Sequence, residues 1–145
     1  MKGTKKALVL LVLIIMTASL VMAEELPVTL EITGVKINKG SVYVAIYDSA
    51  ENFKAEKTCQ KFCIEPAAET LYIKTLLNEG YYRISSFQDK NGNGELNTGL
   101  FGIPSEPFAI SNYPGRGIPR SFEKLKLWIG PDADKPSINL SNYKM

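Results

Sequence analysis

The segment 89–97 holds the residues whose types and spacing come closest to a chemical site. It reads DKNGNGELN, with oxygen-bearing side chains at the first, third, fifth and ninth positions and glycine at the sixth. That spacing matches the first three-quarters of an EF-hand-type calcium loop, in which alternate residues of a tight turn converge on one hard cation. The candidate calcium ligands are Asp89, Asn91, Asn93, Glu95 (through its backbone carbonyl) and Asn97.

The segment departs from the calcium pattern at its twelfth position. Leu100 stands where a bidentate glutamate should close the site, and Glu106 and Glu123 are the candidates for supplying that carboxylate from elsewhere in the fold. With one certain carboxylate, the expected Kd for calcium is about 10⁻⁴–10⁻³ M, the range of extracellular modules. The alternative is that the Asn-Gly pairs at 91–92 and 93–94 form tight turns and bind no ion.

Cys59 and Cys63 form a second candidate pair. If the chain is exported, as its N-terminus indicates, an oxidising compartment makes a structural disulfide the expected state. Such a bridge would close a very small loop, so it would stiffen the 49–69 connection rather than add much stability. The alternative is a redox pair or a soft-metal site, although two thiolates without histidine are a thin ligand set.

Two further sets of side chains are candidate binding surfaces. Arg116 and Arg120 lie in a Gly/Pro-rich stretch and are candidates for contacting an anion or a partner; an ordinary solvated loop is the alternative. Five aromatic residues fall on strand faces opposite the predicted core, which suits either a sugar- or partner-binding surface or ordinary strand composition. These residues are Tyr43, Tyr47, Tyr72, Tyr81 and Trp128.

Composition excludes several function classes. The chain has no histidine, which removes the Ser-His-Asp triad, the Cys-His pair and the common zinc sites. Its 17 Lys+Arg against 15 Asp+Glu give a net charge of +2, too neutral for a nucleic-acid binder with a basic surface. No catalytic residue is assigned, but Asp89 paired with Glu106 or Glu123 could perform acid–base chemistry.

The first 23 residues read as a secretory signal peptide. Three lysines precede an apolar run from Ala7 to Met16, and Val21-Met22-Ala23 offers a cleavage site. An uncleaved anchor is the alternative, but the apolar stretch is short of the roughly 20 residues that a spanning helix needs. We therefore expect an exported protein, periplasmic or extracellular, whose mature single domain covers 24–145 and has no membrane span.

Period-two alternation dominates the rest of the chain and predicts an all-β fold. Six segments alternate apolar and polar residues: 28–32, 42–46, 71–73, 82–84, 125–129 and 138–140. The first two are predicted to form an antiparallel hairpin, and 51–62 is the one place for a short helix. About six to seven strands with one apolar face each indicate a single antiparallel β-sandwich, with a barrel as the alternative. The predicted solvent faces carry Glu31, Lys74, Arg83, Lys124 and Lys126.

A long Gly/Pro-rich loop from 89 to 122 interrupts the strand pattern. A connection of that length in a compact domain usually has a function or is disordered. Buried-type residues within it, including Phe108 and Ile110, predict an ordered loop held against one edge of the sandwich.

Three segments together resemble the bacterial exported proteins grouped as domain of unknown function 2141. They are GSVYVAIYD at 40–48, the stretch from Gly80 through the 89–96 loop, and the stretch from FGIPSE at 101–106 to PRSFE at 119–123. The resemblance implies a small periplasmic or secreted β-sandwich of the immunoglobulin-like or transthyretin-like kind, with no established activity. The segment 77–84 is also similar to transthyretin-like and collagen-adhesin B-type modules, some of which hold calcium in comparable loops.

Two functions of different classes follow. The first is a non-catalytic binding or structural module of the cell envelope, with a weak calcium-ordered loop and an envelope protein or glycan as partner. The second is an envelope hydrolase whose carboxylates are assembled by the 89–122 loop. A concave pocket with convergent polar groups near Asp89 would favour the enzyme.

Overall fold

The computed structural model describes residues 24–99, 102, 104–115 and 119–140. The predicted signal peptide and Arg116 lie outside these residues, as does Leu100. Within the described residues, ten elements follow one another in sequence. They are β1 (Glu25–Thr33), β2 (Val42–Tyr47), α1 (Ala50–Lys54), β3 (Gln60–Ile64), β4 (Leu71–Asn78), β5 (Gly80–Gln88), β6 (Phe108–Ile110), α2 (Phe122–Leu125), β7 (Leu127–Ile129) and β8 (Ser137–Asn139). Neither described helix has the length and apolar character needed to cross a membrane.

The strands form two sheets, as the alternating pattern predicts. The smaller sheet has the order β4-β1-β8, and the larger has the order β3-β2-β5-β6, with β7 also paired to β5. All pairings are antiparallel except that of β1 with β8, which is parallel. The inward residues of both sheets form one apolar core, in which Leu30, Ile32, Val42, Ile46 and Ile84 are fully buried.

The predicted hairpin between the first two strands is wrong. β1 pairs with β4, opposing Leu30 to Ile73, whereas β2 pairs with β3 and β5 in the other sheet. The 34–41 connection crosses between the sheets, and the buried amide of Gln88 holds it there. Gln88 Oε1 accepts from the Lys36 backbone N–H at 2.9 Å, and Gln88 Nε2 donates to the carbonyls of Lys36 and Gly40 at 2.6 and 3.1 Å.

Several helix and strand boundaries differ from those that the sequence pattern predicts. A helix was expected within 51–62, but only Ala50–Lys54 (α1) is helical. The end of that range belongs to β3, which pairs with β2. The 125–129 strand begins only at Leu127, because Ser121 caps α2 by accepting from the Lys124 N–H. β6 lies inside the long loop, where Gly and Pro residues obscure the strand pattern.

The predicted Cys59–Cys63 disulfide is also wrong, because the chain that joins the two cysteines is extended along β3. Cys59 precedes the strand and donates its thiol to the Ile46 carbonyl at 3.3 Å, while Cys63 lies within the strand opposite Tyr43. Both thiols are free. Four residues of extended chain span roughly 13 Å at about 3.3 Å per residue. A disulfide requires Cα atoms within about 7 Å.

Candidate functional site

The 89–97 loop is folded around the carboxylate of Asp89. This residue follows the end of β5 and is only 1% exposed. Its Oδ1 accepts from the Gly92 N–H and its Oδ2 from the Gly94 N–H, both at 2.7 Å. Burial alone would raise the pKa of Asp89, but the N–H groups of Gly94 and Gly92 favour the charged form and hold its pKa below the usual value. The carboxylate is therefore ionised and engaged by the backbone of its own loop.

A second buried carboxylate joins the two ends of this loop. Glu106 is 6% exposed, and its Oε1 accepts from the Lys90 N–H at 2.7 Å while its Oε2 accepts from the Asn97 N–H at 3.0 Å. Of the two glutamates predicted to close the site, the structure brings Glu106 to the loop. Glu123 lies in α2, where its carboxylate pairs with Lys126 Nζ at 2.5 Å.

The three asparagine side chains of the loop meet one another. Asn97 Oδ1 accepts from Asn91 Nδ2 at 2.8 Å and from Asn93 Nδ2 at 3.2 Å. Asn91 Oδ1 and Asn93 Oδ1 accept from the N–H groups of Asn93 and Glu95. The Asn97 amide therefore shares contacts with both of the other asparagine amides, while the Glu95 side chain is exposed.

This donor set fits a hard cation in type but is low in charge. It consists of amide oxygens, a carboxylate and a backbone carbonyl, which suit calcium. Within the described residues, no group of three or more His, Cys, Asp or Glu side chains is placed to hold a metal. The Asp89 oxygens and the three asparagine side-chain oxygens all accept hydrogen bonds within the loop, so a cation here would compete with these bonds.

A groove of about 970 Å³ crosses the outer face of the larger sheet beside this loop. Its floor is low because the cross-strand pair Ala45–Ser85 is small. Larger cross-strand pairs flank it, Tyr43–Phe87 on one side and Tyr47–Arg83 on the other. The loop contributes one part of the lining and α1 with the following turn another. These lining residues include Gly94, Glu95, Leu96, Thr98, Phe53, Lys54 and Glu56.

Aromatic rings give the groove fixed sides. Tyr43 and Phe87 are stacked, with ring centroids 5.1 Å apart and planes within 8° of parallel. Tyr47 meets Phe53 edge to face at 5.2 Å. Such pairs hold both rings in defined orientations. The groove side chains are therefore positioned by strand register and by α1.

The five aromatic residues predicted on the outer faces do not form one surface. Tyr43 and Tyr47 line the groove. Tyr81 and Trp128 form a separate exposed pair, 4.9 Å apart, where β5 meets β7. Tyr72 is exposed on the smaller sheet, beneath Lys135 Nζ.

Arg83 is the residue that sequence reasoning misjudged most. It was expected on a solvent face, but it is only 3% exposed, because its guanidinium carbon lies 4.0 Å from the centre of the Phe53 ring and segment 119–121 contacts its head group. Nη1 donates to the Ser121 carbonyl at 3.1 Å and Nη2 to the Pro119 carbonyl at 2.7 Å. Burial lowers its pKa from the usual value. The available signal was that Arg83 is the one charged residue in the β5 sequence.

Of the two arginines predicted to contact an anion, only Arg120 lies within the described residues. Arg120 is exposed, next to the Pro119 carbonyl that accepts from Arg83. Arg116 lies outside the described residues. Unlike Arg120, Arg83 is buried and belongs to the lining of the groove.

Comparison with known proteins matches residues 30–136 to the family model described as "Uncharacterized protein conserved in bacteria", domain of unknown function 2141. The matched range includes all strands of the larger sheet, the 89–97 loop, β4 and part of β1. No curated protein and no solved structure matches the chain significantly.

Proposed function

Because the chain belongs to the domain of unknown function 2141 family, whose description assigns no activity, we propose a function from the geometry of the site. The protein is an exported, non-catalytic β-sandwich module that binds an envelope glycan in the groove on its larger sheet. The observation that carries this proposal is the groove itself, which combines a small floor, ordered aromatic sides and a loop wall.

The mixed chemistry of the groove favours a glycan over a purely apolar partner. Tyr43, Tyr47 and Phe53 supply aromatic surface, and Thr58 and Ser85 supply hydroxyl groups. Sugar rings present apolar C–H faces and a rim of hydroxyls, which match aromatic faces and polar side chains. An envelope protein is the alternative partner.

The 89–97 loop links ion binding to the groove. Gly94, Glu95 and Leu96 line the groove, while the same loop carries the candidate calcium ligands. A calcium ion held by Asn91, Asn93 and Asn97 side chains would fix the position of that wall. We propose that calcium binds weakly and orders the groove rather than taking part in a reaction.

The hydrolase alternative has less support from the placement of its carboxylates. Asp89 and Glu106 direct their oxygens to backbone N–H groups of the loop, and neither is among the groove-lining residues. A general acid needs a raised pKa, whereas the pKa of Asp89 is lowered. Glu123 pairs with Lys126 instead of joining them.

Glycan binding is tested with mature 24–145 on an array of bacterial envelope glycans. Ala45→Trp fills the groove floor, so binding should be lost. Tyr72→Ala removes an exposed aromatic ring from the smaller sheet and should leave binding intact. Equal binding by Ala45→Trp and the unmodified protein would overturn the proposal.

Calcium binding is tested by thermal melts in EDTA, calcium and magnesium. With a Kd of about 10⁻⁴–10⁻³ M, 10 mM calcium should add about 1.4–2.7 kcal/mol and raise Tm by several degrees. Asn97→Asp adds a carboxylate among the candidate ligands and should enlarge the calcium-specific rise. If neither protein shows a calcium-specific rise in Tm, the loop forms two tight turns and binds no calcium.

Export is tested by mass spectrometry of protein recovered from the cell envelope. The proposal requires a new N-terminus at or near Glu24, which removal of the apolar segment would generate. Recovery of the intact chain in the membrane fraction would instead identify an anchor.

A further inference from the structure

We propose that the groove selects a saccharide that bears a carboxylate, and that Arg83 receives this group. The inference rests on the proposed glycan-binding function and adds the chemical class of the ligand. Among the described residues, Arg83 has both an unpaired buried nitrogen and no ion-pair partner.

Arg83 Nε is the one buried side-chain nitrogen or oxygen among the described residues that has no hydrogen-bond partner. An unpaired buried donor is costly, and the cost is greater for a charged group. The two Nη atoms are engaged by the carbonyls of Ser121 and Pro119, so these bonds anchor the side chain without satisfying Nε.

The charge of Arg83 is also uncompensated. The two ion pairs in the described residues join Lys126 to Glu123 and Lys135 to Glu31, so neither involves Arg83. The carbonyls that accept from Arg83 are neutral, and Phe53 offers only a ring face at 4.0 Å. Buried arginines are normally paired with an acid.

A ligand carboxylate would meet both requirements at once. Arg83 belongs to the groove lining, so a molecule in the groove lies against it. A carboxylate oxygen accepts hydrogen bonds from arginine, and its charge balances the guanidinium. Lys54 and Lys61 line the same groove with Glu56 and Glu95, giving three cations against two acids.

The remaining groove residues indicate that the carboxylate is carried by a saccharide. Tyr43, Tyr47 and Phe53 provide surface for ring faces, and Ser85 provides a hydroxyl on the floor. A volume of about 970 Å³ accommodates more than a free inorganic anion, which would leave these side chains without contacts. A uronic acid combines the two features.

The test is an NMR titration of mature 24–145 that observes arginine Nε–H signals. The chain has arginines at 83, 116 and 120, and Arg83→Lys assigns the Arg83 signal by its disappearance. Trigalacturonate should shift the Arg83 Nε–H signal. Its fully methyl-esterified form, which is the same sugar without the charge, should bind about tenfold more weakly and leave that signal in place.

Two variants and a control separate ligand binding from a structural role of Arg83. Ser85→Trp fills the groove floor without altering Arg83, so it should abolish the trigalacturonate shifts even if Arg83→Lys proves unstable. Lys74→Gln removes a charge from the outer face of the smaller sheet and should bind normally, which controls for nonspecific attraction.

Several outcomes would overturn the inference. If the ester binds as tightly as the acid and Ser85→Trp abolishes both, the groove binds glycans without selecting a carboxylate, and the proposed function stands. If trigalacturonate leaves the Arg83 Nε–H signal unmoved, Arg83 only anchors segment 119–121. If Ser85→Trp binds like the unmodified protein, the saccharide lies elsewhere, and the groove assignment fails as well.

Discussion

At the scale of single residues, two buried carboxylates hold a polar loop against a β-sandwich. Asp89 accepts from the middle of the loop and Glu106 from both of its ends. Neither carboxylate has a partner among the described ion pairs. Backbone N–H groups therefore replace water as their hydrogen-bond donors. These hydrogen bonds shape the loop that forms one wall of the groove.

Glu106→Gln should destabilise the protein measurably. One carboxylate oxygen becomes an NH₂ group that faces a backbone donor, so the loss of charged hydrogen bonding should cost about 1–3 kcal/mol. Urea unfolding measures the change. Glu123→Gln alters an exposed pair and should cost about 0–1 kcal/mol, so equal losses in the two variants would contradict the assigned role of Glu106.

Asp89 should make stability fall at acid pH. Its folded pKa lies below the usual 3.8, so its contribution is complete above the unfolded pKa and is lost as pH falls through the folded pKa. Unfolding measured from pH 6 down to pH 2 should decline below about pH 4. Asp89→Asn should be less stable at pH 6 and should decline less between pH 4 and pH 2; an equally steep decline would contradict the role of Asp89.

At the scale of elements, the loop depends on the connection between β1 and β2. The Ser41 carbonyl accepts from the Asp89 N–H at 2.9 Å, and Gly40 adopts φ +92° where it passes the backbone of Asp89. A Cβ at Gly40 would lie 1.6 Å from the Asp89 carbonyl oxygen. The crossing between sheets therefore sets the position of the first loop residue.

Alanine substitutions at Gly92 and Gly40 should distinguish the cost of a left-handed backbone from the cost of a steric collision. Gly92 has φ +75° and open space around its Cα, so Gly92→Ala should cost only the left-handed penalty of about 1–2 kcal/mol. Gly40→Ala adds a collision with backbone and should cost clearly more, as measured by urea unfolding. Similar losses in both variants would contradict the close approach of Gly40 to Asp89.

Alternation was a reliable guide to which residues face the core, but it could not identify strand partners. Val42, Val44 and Ile46 are buried as their spacing predicts, yet their strand pairs with residues 60–64 and 83–88 rather than with the preceding strand. The meeting of Asn91, Asn93 and Asn97 was predictable because these residues are local in sequence. The groove was not, because its floor depends on the register that places Ala45 opposite Ser85. The burial of Arg83 depends on contacts with Phe53 and segment 119–121, which no local pattern encodes.

At the scale of the whole molecule, the proposed ion site and the proposed ligand site share one wall. The larger sheet supplies the groove floor, and the loop that follows β5 supplies both the candidate calcium ligands and part of the groove lining. An ion that stabilised the loop would therefore reduce the ordering cost of binding a ligand beside it. Calcium and a groove ligand should each raise the affinity of the other.

The most direct test of this account is a calcium titration of ¹⁵N-labelled mature 24–145, with magnesium as the control. We expect the backbone signals of Gly92 and Gly94 in the loop and of Ala45 and Ser85 on the groove floor to shift together, with one Kd and with calcium only. If calcium moves no loop signal, or moves the loop while Ala45 and Ser85 stay in place, ion binding and the groove are not connected.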